Sequence, residues 1–298
     1  MIEIKQISKT FGDVKATSNV SFNIPEACVF GLLGTNGSGK STLIRMISGV
    51  LKPDEGEIIV DGEKVWENPN AKGKIFYISD DQYFFANATP KDMLKAYKVY
   101  YPELDEKYFV ECLQKFGLNI DRKIQTFSKG MKKQLSILLG VCSGAKYLIC
   151  DETFDGLDPV MRKGIKSIFA NEMYEKKMTI IIASHNLREL EDICDRVGIL
   201  HLGGVILDEN IDDLKGNLQK IQCALSEEYD EVVQEKLDVV KYERRGKLAT
   251  MIVRGDQSEI FVYLESLNPA FYEALPLSLE EIFINEMEVV GYDVKNLL

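Results

Sequence analysis

Apolar residues come in short runs along the first part of the chain, at IEIKQI, NVSFNI and CVFGLL, with Gly12 and Pro25 between them, and this pattern predicts strands. The period then changes. After CVFGLL comes GTNGSGKST, and the apolar positions Leu43, Ile44, Ile47 and Leu51 beyond it fit one stripe of a helix. Short strands are expected at GEIIVDG and KIFYIS, then a mostly helical stretch from about Pro90 to Gly144. Strand signals return as KYLICDE, MTIIIASH and RVGIL, separated by helical patterns at 160–176 and 186–194. Short, wholly apolar strands alternating with helices predict a parallel sheet covered on both faces. The helical stretch, about 84–144, reads as an insertion into that core. The expected class is therefore α/β, with N-terminal antiparallel strands beside a mostly parallel sheet.

The last ninety residues keep a different rhythm. Strands are expected at QKIQCAL, DVVKYE, LATMIVRG and FYEALPL, and helices at EYDEVVQEKL and QSEIFVYLESL. The order β-α-β-β-α-β predicts a small α+β domain of ferredoxin-like arrangement over 210–298, after a first domain spanning 1–209. Gly216–Asn217 is the expected break. A closing helix in SLEEIFINEMEVV begins with Ser278 and carries Glu281 three residues on, the spacing of a capping box.

Composition narrows the function classes. Of 298 residues, 45% are hydrophobic, and Lys+Arg 36 against Asp+Glu 47 leaves a net charge of −11. So acidic a chain is not expected to bind nucleic acid through its surface, because Lys and Arg supply most of that affinity. The charge is uneven: residues 210–298 hold 18 acidic and nine basic side chains, so most of the excess lies there. The six cysteines form no CxxC pair and several sit in apolar runs, which predicts reduced core thiols in a cytoplasmic protein. No apolar run approaches the ~20 residues of a membrane span.

GTNGSGKST, Gly34 to Thr42, matches G-x-x-x-x-G-K-[ST] in full, between a predicted strand and a predicted helix. Glycines let such a loop wrap an anion with its N–H groups, Lys40 adds a point charge, and Ser41 can ligate Mg²⁺. Thr35, Asn36, Gly37, Ser38, Gly39 and Thr42 complete the expected phosphate cradle. A nucleotide site also needs a carboxylate at the end of a buried strand. YLICDE supplies Asp151, able to hold Mg²⁺ through water, and Glu152 beside it, able to polarise an attacking water. In TFSKGMKKQLSILLG, Ser128 and Gly130 open a helix whose N-terminal end can face an anion.

In this order the motifs over residues 1–209 resemble the ATP-binding cassette (ABC) ATPases. The resemblance implies a P-loop fold, ATP and Mg²⁺ as ligands, and a head-to-tail pair of cassettes in which Ser128 and Gly130 of one subunit close over the γ-phosphate held by the other. It implies that Phe11 stacks on adenine, that His185 of ASHNLRELEDICDRVGIL contacts the γ-phosphate, and that GLDP, Gly156 to Pro159, is a subunit contact. Asp80 falls where the family usually has a glutamine that senses magnesium, and Gln82 competes for that role. Lys129 replaces the first glycine of the usual LSGGQ signature, Thr153 the usual proline, and Phe11 a tyrosine. The partners implied are a second cassette and an integral membrane permease, with the chain held at the inner face of the membrane. The aromatic segment QYFFANATPKDMLKAYKVYY is the expected permease-facing surface, or else packs the core of the insertion. The ending PLSLEEIFI resembles exporter cassettes. The alternatives are a soluble ABC-type ATPase without a transporter and an ATP-binding regulatory module.

Overall fold

The computed structural model describes residues 1–289 apart from Asp155, and side chains apart from Asp155, Glu189 and 286–289. It divides into two compact units, Met1–Asp208 and Glu209–Leu298.

The first unit opens with β1 (Ile2–Phe11), β2 (Val14–Ile24) and β3 (Val29–Gly34), then α1 (Lys40–Ile47). Next come β4 (Glu55–Val60), β5 (Glu63–Lys64), α2 (Pro69–Gly73) and β6 (Ile75–Ile78). The insertion contributes α3 (Pro90–Tyr100), α4 (Glu106–Lys115) and α5 (Lys129–Cys142). The core resumes with β7 (Tyr147–Asp151), α6 (Pro159–Lys176), β8 (Thr179–Ala183), α7 (Leu187–Glu191), β9 (Arg196–His201) and β10 (Gly204–Asn210).

These strands form two sheets. In the first, ordered β2-β1-β4-β5, the strands are antiparallel and alternate: Ile2, Ile4, Val20, Phe22 and Ile24 go inward while the residues between them stay wetter. The second is ordered β10-β9-β3-β8-β7-β6, with β3, β6, β7, β8 and β9 parallel to their neighbours among themselves. Every residue of β3, β7 and β8 is buried, which only a run of apolar side chains allows when both faces are covered.

Register in this second sheet places the chemistry. Leu32 of β3 and Asp151 of β7 both pair with Ala183 of β8. The three strands therefore run out side by side, and the segments leaving them emerge along one edge: the glycine loop, Glu152 and His185. This is the carboxyl end of a parallel sheet, where ligands of open α/β folds bind.

The second unit begins with α8 (Ile211–Asn217) and continues with β11 (Leu218–Ala224), α9 (Asp230–Lys236), β12 (Asp238–Arg245), β13 (Leu248–Arg254), α10 (Gln257–Ser266), β14 (Tyr272–Leu275) and α11 (Leu279–Val289). Its sheet, ordered β12-β13-β11-β14, is antiparallel throughout, the order that two interlocked β-α-β units produce. Ile221, Cys223, Ala249, Met251 and Val253 on one face pack against Val233 of α9 and Ile260 and Leu264 of α10. Gly216 and Asn217 end α8 inside this unit. The Ser278–Glu281 capping box forms as its spacing predicts: the Ser278 N–H donates to Glu281 at 3.1 Å, and the Glu281 N–H donates to Ser278 Oγ at 3.2 Å. Val290, at the end of that predicted helix, lies outside the described residues. All six cysteines are buried and unpaired.

Candidate nucleotide site

The loop between β3 and α1 is shaped by two glycines in the left-handed region, Gly37 at φ +80° and Gly39 at φ +104°. Gly39 admits no side chain, since a Cβ there would lie 2.2 Å from the Ala16 carbonyl oxygen. Asn36 and Gly37 form the exposed tip, with Thr35 and Thr42 half-buried at its flanks. Lys40 is buried and donates to the carbonyls of Gly34 at 2.8 Å and Thr35 at 3.1 Å. Burial pushes its ammonium below the usual lysine range, against the opposing attraction of Glu152 and Asp151.

Across the sheet edge, Asp151 is buried at the end of β7 and accepts a hydrogen bond from Ser41 Oγ at 3.1 Å. Burial raises its carboxyl above the ordinary range, partly offset by that bond and by the charges of Arg45 and Lys40. Glu152 leaves the strand in a left-handed conformation, φ +47°, after its N–H donates to Ala183 O at 3.0 Å. A non-glycine residue held there costs about 1–2 kcal/mol, so the surroundings must enforce it. Its Oε2 lies 2.9 Å from His185 Nδ1.

The donor set fits a triphosphate with a divalent cation. Ser38 Oγ, inside the loop, is buried with no hydrogen-bond partner among the described residues, and a Cβ on Gly34 would lie 2.4 Å from it. A loop kept open by glycines, a buried lysine, a hydroxyl and a buried carboxylate are the groups that phosphates and a hard cation require.

The structure thus gathers Gly34 to Thr42, Asp151, Glu152 and His185. Asp80, in the loop after β6, reaches the group indirectly: its Oδ1 is 3.3 Å from Lys133 Nζ. Gln82 turns its amide back onto its own loop, donating to the carbonyls of Ser79 at 3.1 Å and Asp80 at 2.8 Å. Ser128 and Gly130 have other partners. The Ser128 hydroxyl caps α5, accepting from Met131 N at 3.2 Å, and Gly130 lies against the Gly156 carbonyl. Neither is hydrogen-bonded to the glycine loop among the described residues. Phe11 sits at the β1–β2 hairpin, 49% exposed, with Lys9 Nζ 5.6 Å from its ring centre. Two contacts escaped the sequence. Tyr77 OH lies 3.5 Å from Asp151 Oδ2, and Lys133 donates to the Glu152 carbonyl. A tyrosine in an apolar strand and a lysine in a basic run carry no local signal of such roles.

A fold with this loop at the end of a buried parallel strand, paired to a strand-end Asp–Glu, is that of a P-loop nucleotide-binding protein, and comparison with known proteins places it among the ATP-binding cassette ATPases. The chain belongs to the ABC transporter family and is an ATP-binding subunit of that kind. The ABC transporter family profile matches residues 17–155. The ABC transporter ATP-binding protein YtrB of Bacillus subtilis (strain 168) is 31% identical over 284 residues, covering 95% of this chain and 97% of that protein. The lantibiotic transport ATP-binding protein SrtF of Streptococcus pyogenes is 33% identical over 74% of this chain and 95% of its own length. Among solved structures, an ATP-binding subunit of an ABC transporter superposes with a TM-score of 0.66 at 26% identity, over 72% of this chain and 92% of the other.

Proposed function

We propose that the chain hydrolyses ATP as one of two cassettes that drive a separate integral membrane permease, and that the transporter is an exporter. The observation that carries the catalytic part is the Glu152–His185 contact of 2.9 Å beside the Asp151–Ser41 bond of 3.1 Å. In this reading the loop from Gly34 to Thr42 holds the β- and γ-phosphates with Lys40 as counter-charge. Mg²⁺, when bound, would neutralise phosphate charge, and Ser41, Asp151 and Asp80 are the residues that would hold it. Glu152 accepts a proton from the attacking water as the γ-phosphoryl group leaves ADP for that water's oxygen, and His185 contacts the γ-phosphate. Phe11 stacks on adenine. Ser128 and Gly130 complete the site of the second subunit.

Support for a permease partner comes from the relatives' transport roles and from the insertion's surface. Tyr97 and Tyr101 pack on Phe76 of β6, ring centres 5.2 and 5.1 Å away, so part of the aromatic segment seats the insertion on the parallel sheet. Tyr83, Phe85 and Tyr100 remain exposed, and these form the surface offered to the membrane subunit. Among the described residues no helix is long and apolar enough to cross a membrane. In this reading the chain works at the cytoplasmic face through that permease. Export rests on the likeness to a lantibiotic transport protein and on the PLSLEEIFI ending.

Glu152→Gln tests the reading. It keeps the side chain's shape and removes its basicity, so ATP hydrolysis should fall ~10²–10⁴-fold while ATP still binds. The variant should also accumulate as a dimer with Mg-ATP on gel filtration. Near-normal turnover without that dimer would refute the assignment.

A further inference from the structure

Two lysines come directly after Met131 in α5, and the second goes where lysine is uncommon. The side chain of Lys133 is wholly buried. A buried ammonium persists only where oxygens replace its water. Here two loops provide them: Asp80 Oδ1 at 3.3 Å and the Glu152 carbonyl oxygen at 2.5 Å. That carbonyl faces the lysine because Glu152 turns left-handed as soon as its N–H has paired with Ala183. The ammonium therefore fastens the backbone of the residue whose carboxylate meets His185.

We propose that Lys133 is a positioning residue for hydrolysis: it holds Glu152 in its left-handed turn, and Asp80 is its counter-ion. The inference rests on the reading of Glu152 as general base. A left-handed glutamate relaxes unless its surroundings over-determine it, and the ammonium bond is one such constraint. Packing alone does not call for a cation here, since Leu135, Ile137 and Leu138 already supply buried apolar groups on the same helix. The loop Ser79–Gln82 gains a route to the base through one side chain, so a shift of Asp80 is felt at Glu152.

Lys133→Met, which keeps length and apolar stem but removes the charge, should lower kcat for ATP hydrolysis about 10–100-fold, the scale of a misplacement near 1 Å. Affinity for a non-hydrolysable ATP analogue should stay within about twofold. Lys133→Gln retains a donor for the Glu152 carbonyl and should recover part of the lost kcat. Wild-type kcat in Lys133→Met would overturn the inference. So would parallel loss of kcat, affinity and folded fraction, with no recovery in Lys133→Gln. If Lys133→Met does not fold, the kcat of Lys133→Gln decides: an unchanged value overturns the proposal, and a lowered one at unchanged affinity supports it. Glu152→Gln, assayed alongside, separates the two failures. Near-normal hydrolysis there removes the general-base reading itself. An inactive Glu152→Gln beside a fully active Lys133→Met removes only the positioning role.

Discussion

The two sheets at the hearts of the two units obey opposite rules. β3, β7 and β8 are apolar at nearly every position and buried on both faces, so only their ends are left to present chemistry. β11, β12 and β13 alternate: Ile221, Cys223 and Met251 face the helices, while Lys220, Gln222, Glu243 and Thr250 are left on the opposite face. The buried parallel sheet thus concentrates function at one edge, among the loops beyond its strands. The second sheet instead carries polar groups among apolar ones on the face away from α9 and α10, and pairs them as in Lys220–Glu281 at 2.6 Å and Lys241–Glu243 at 3.0 Å.

The strongest way to test that contrast is at the edge of the first sheet. Lys40→Ala removes a charge-assisted contact to phosphate and should abolish measurable ATP binding and hydrolysis; titration with a fluorescent ATP analogue reads it. Next is the sheet itself. Ile181, wholly buried in β8, should cost about 2–5 kcal/mol when cut to alanine. The single tryptophan, Trp66, lies in the first unit, so its fluorescence during urea unfolding reports that loss directly.

In the second unit the expected effects are smaller. Asp230 is held below the usual aspartate range by its bonds from Arg244, with Tyr242 OH donating at 2.6 Å. A carboxylate so depressed stabilises the fold fully above its unfolded pKa of about 3.9, and that contribution is lost as pH falls through the lower folded value. Asp230→Asn should therefore cost about 1 kcal/mol at neutral pH, allowing for partial exposure, and weaken the acid sensitivity of this unit. Hydrogen exchange in β11–β13 at pH 6 and below pH 4 measures it. The smallest effect expected is on nucleotide affinity when the chain is ended after residue 209. A large loss there would show that the two units do not divide their labour as the sheets suggest.

Much of the site was legible because its signals are local. Gly34 to Ser41 and the Asp151–Glu152 pair declare themselves by spacing, and the flanking apolar runs place them at strand ends. The features that stayed hidden depend on distant partners. Nothing near Glu152 announces a left-handed turn, since the turn is fixed by Ala183 and Lys133. Nothing near Lys133 announces burial, since the compensating oxygens arrive from residues 80 and 152. Gly216–Asn217 is legible as a helix ending, but where contacts divide is a property of the folded chain.

The shared row of Leu32, Ala183 and Asp151 has a consequence for how such a chain can change length. An extra residue inside β7 would turn Asp151 to the other side of the sheet and carry Glu152 out of line with His185, since side chains alternate at every step. Between Gln82 and Ser128 the chain can lengthen or shorten while β6 and β7 stay paired, because the row does not record how the chain travels between strands, whereas Asp80, Ser128, Gly130 and Lys133 must keep their places. Inheritance of new segments is therefore permitted at the loops and forbidden within the strands, which lets one hydrolytic edge be carried among many different partners.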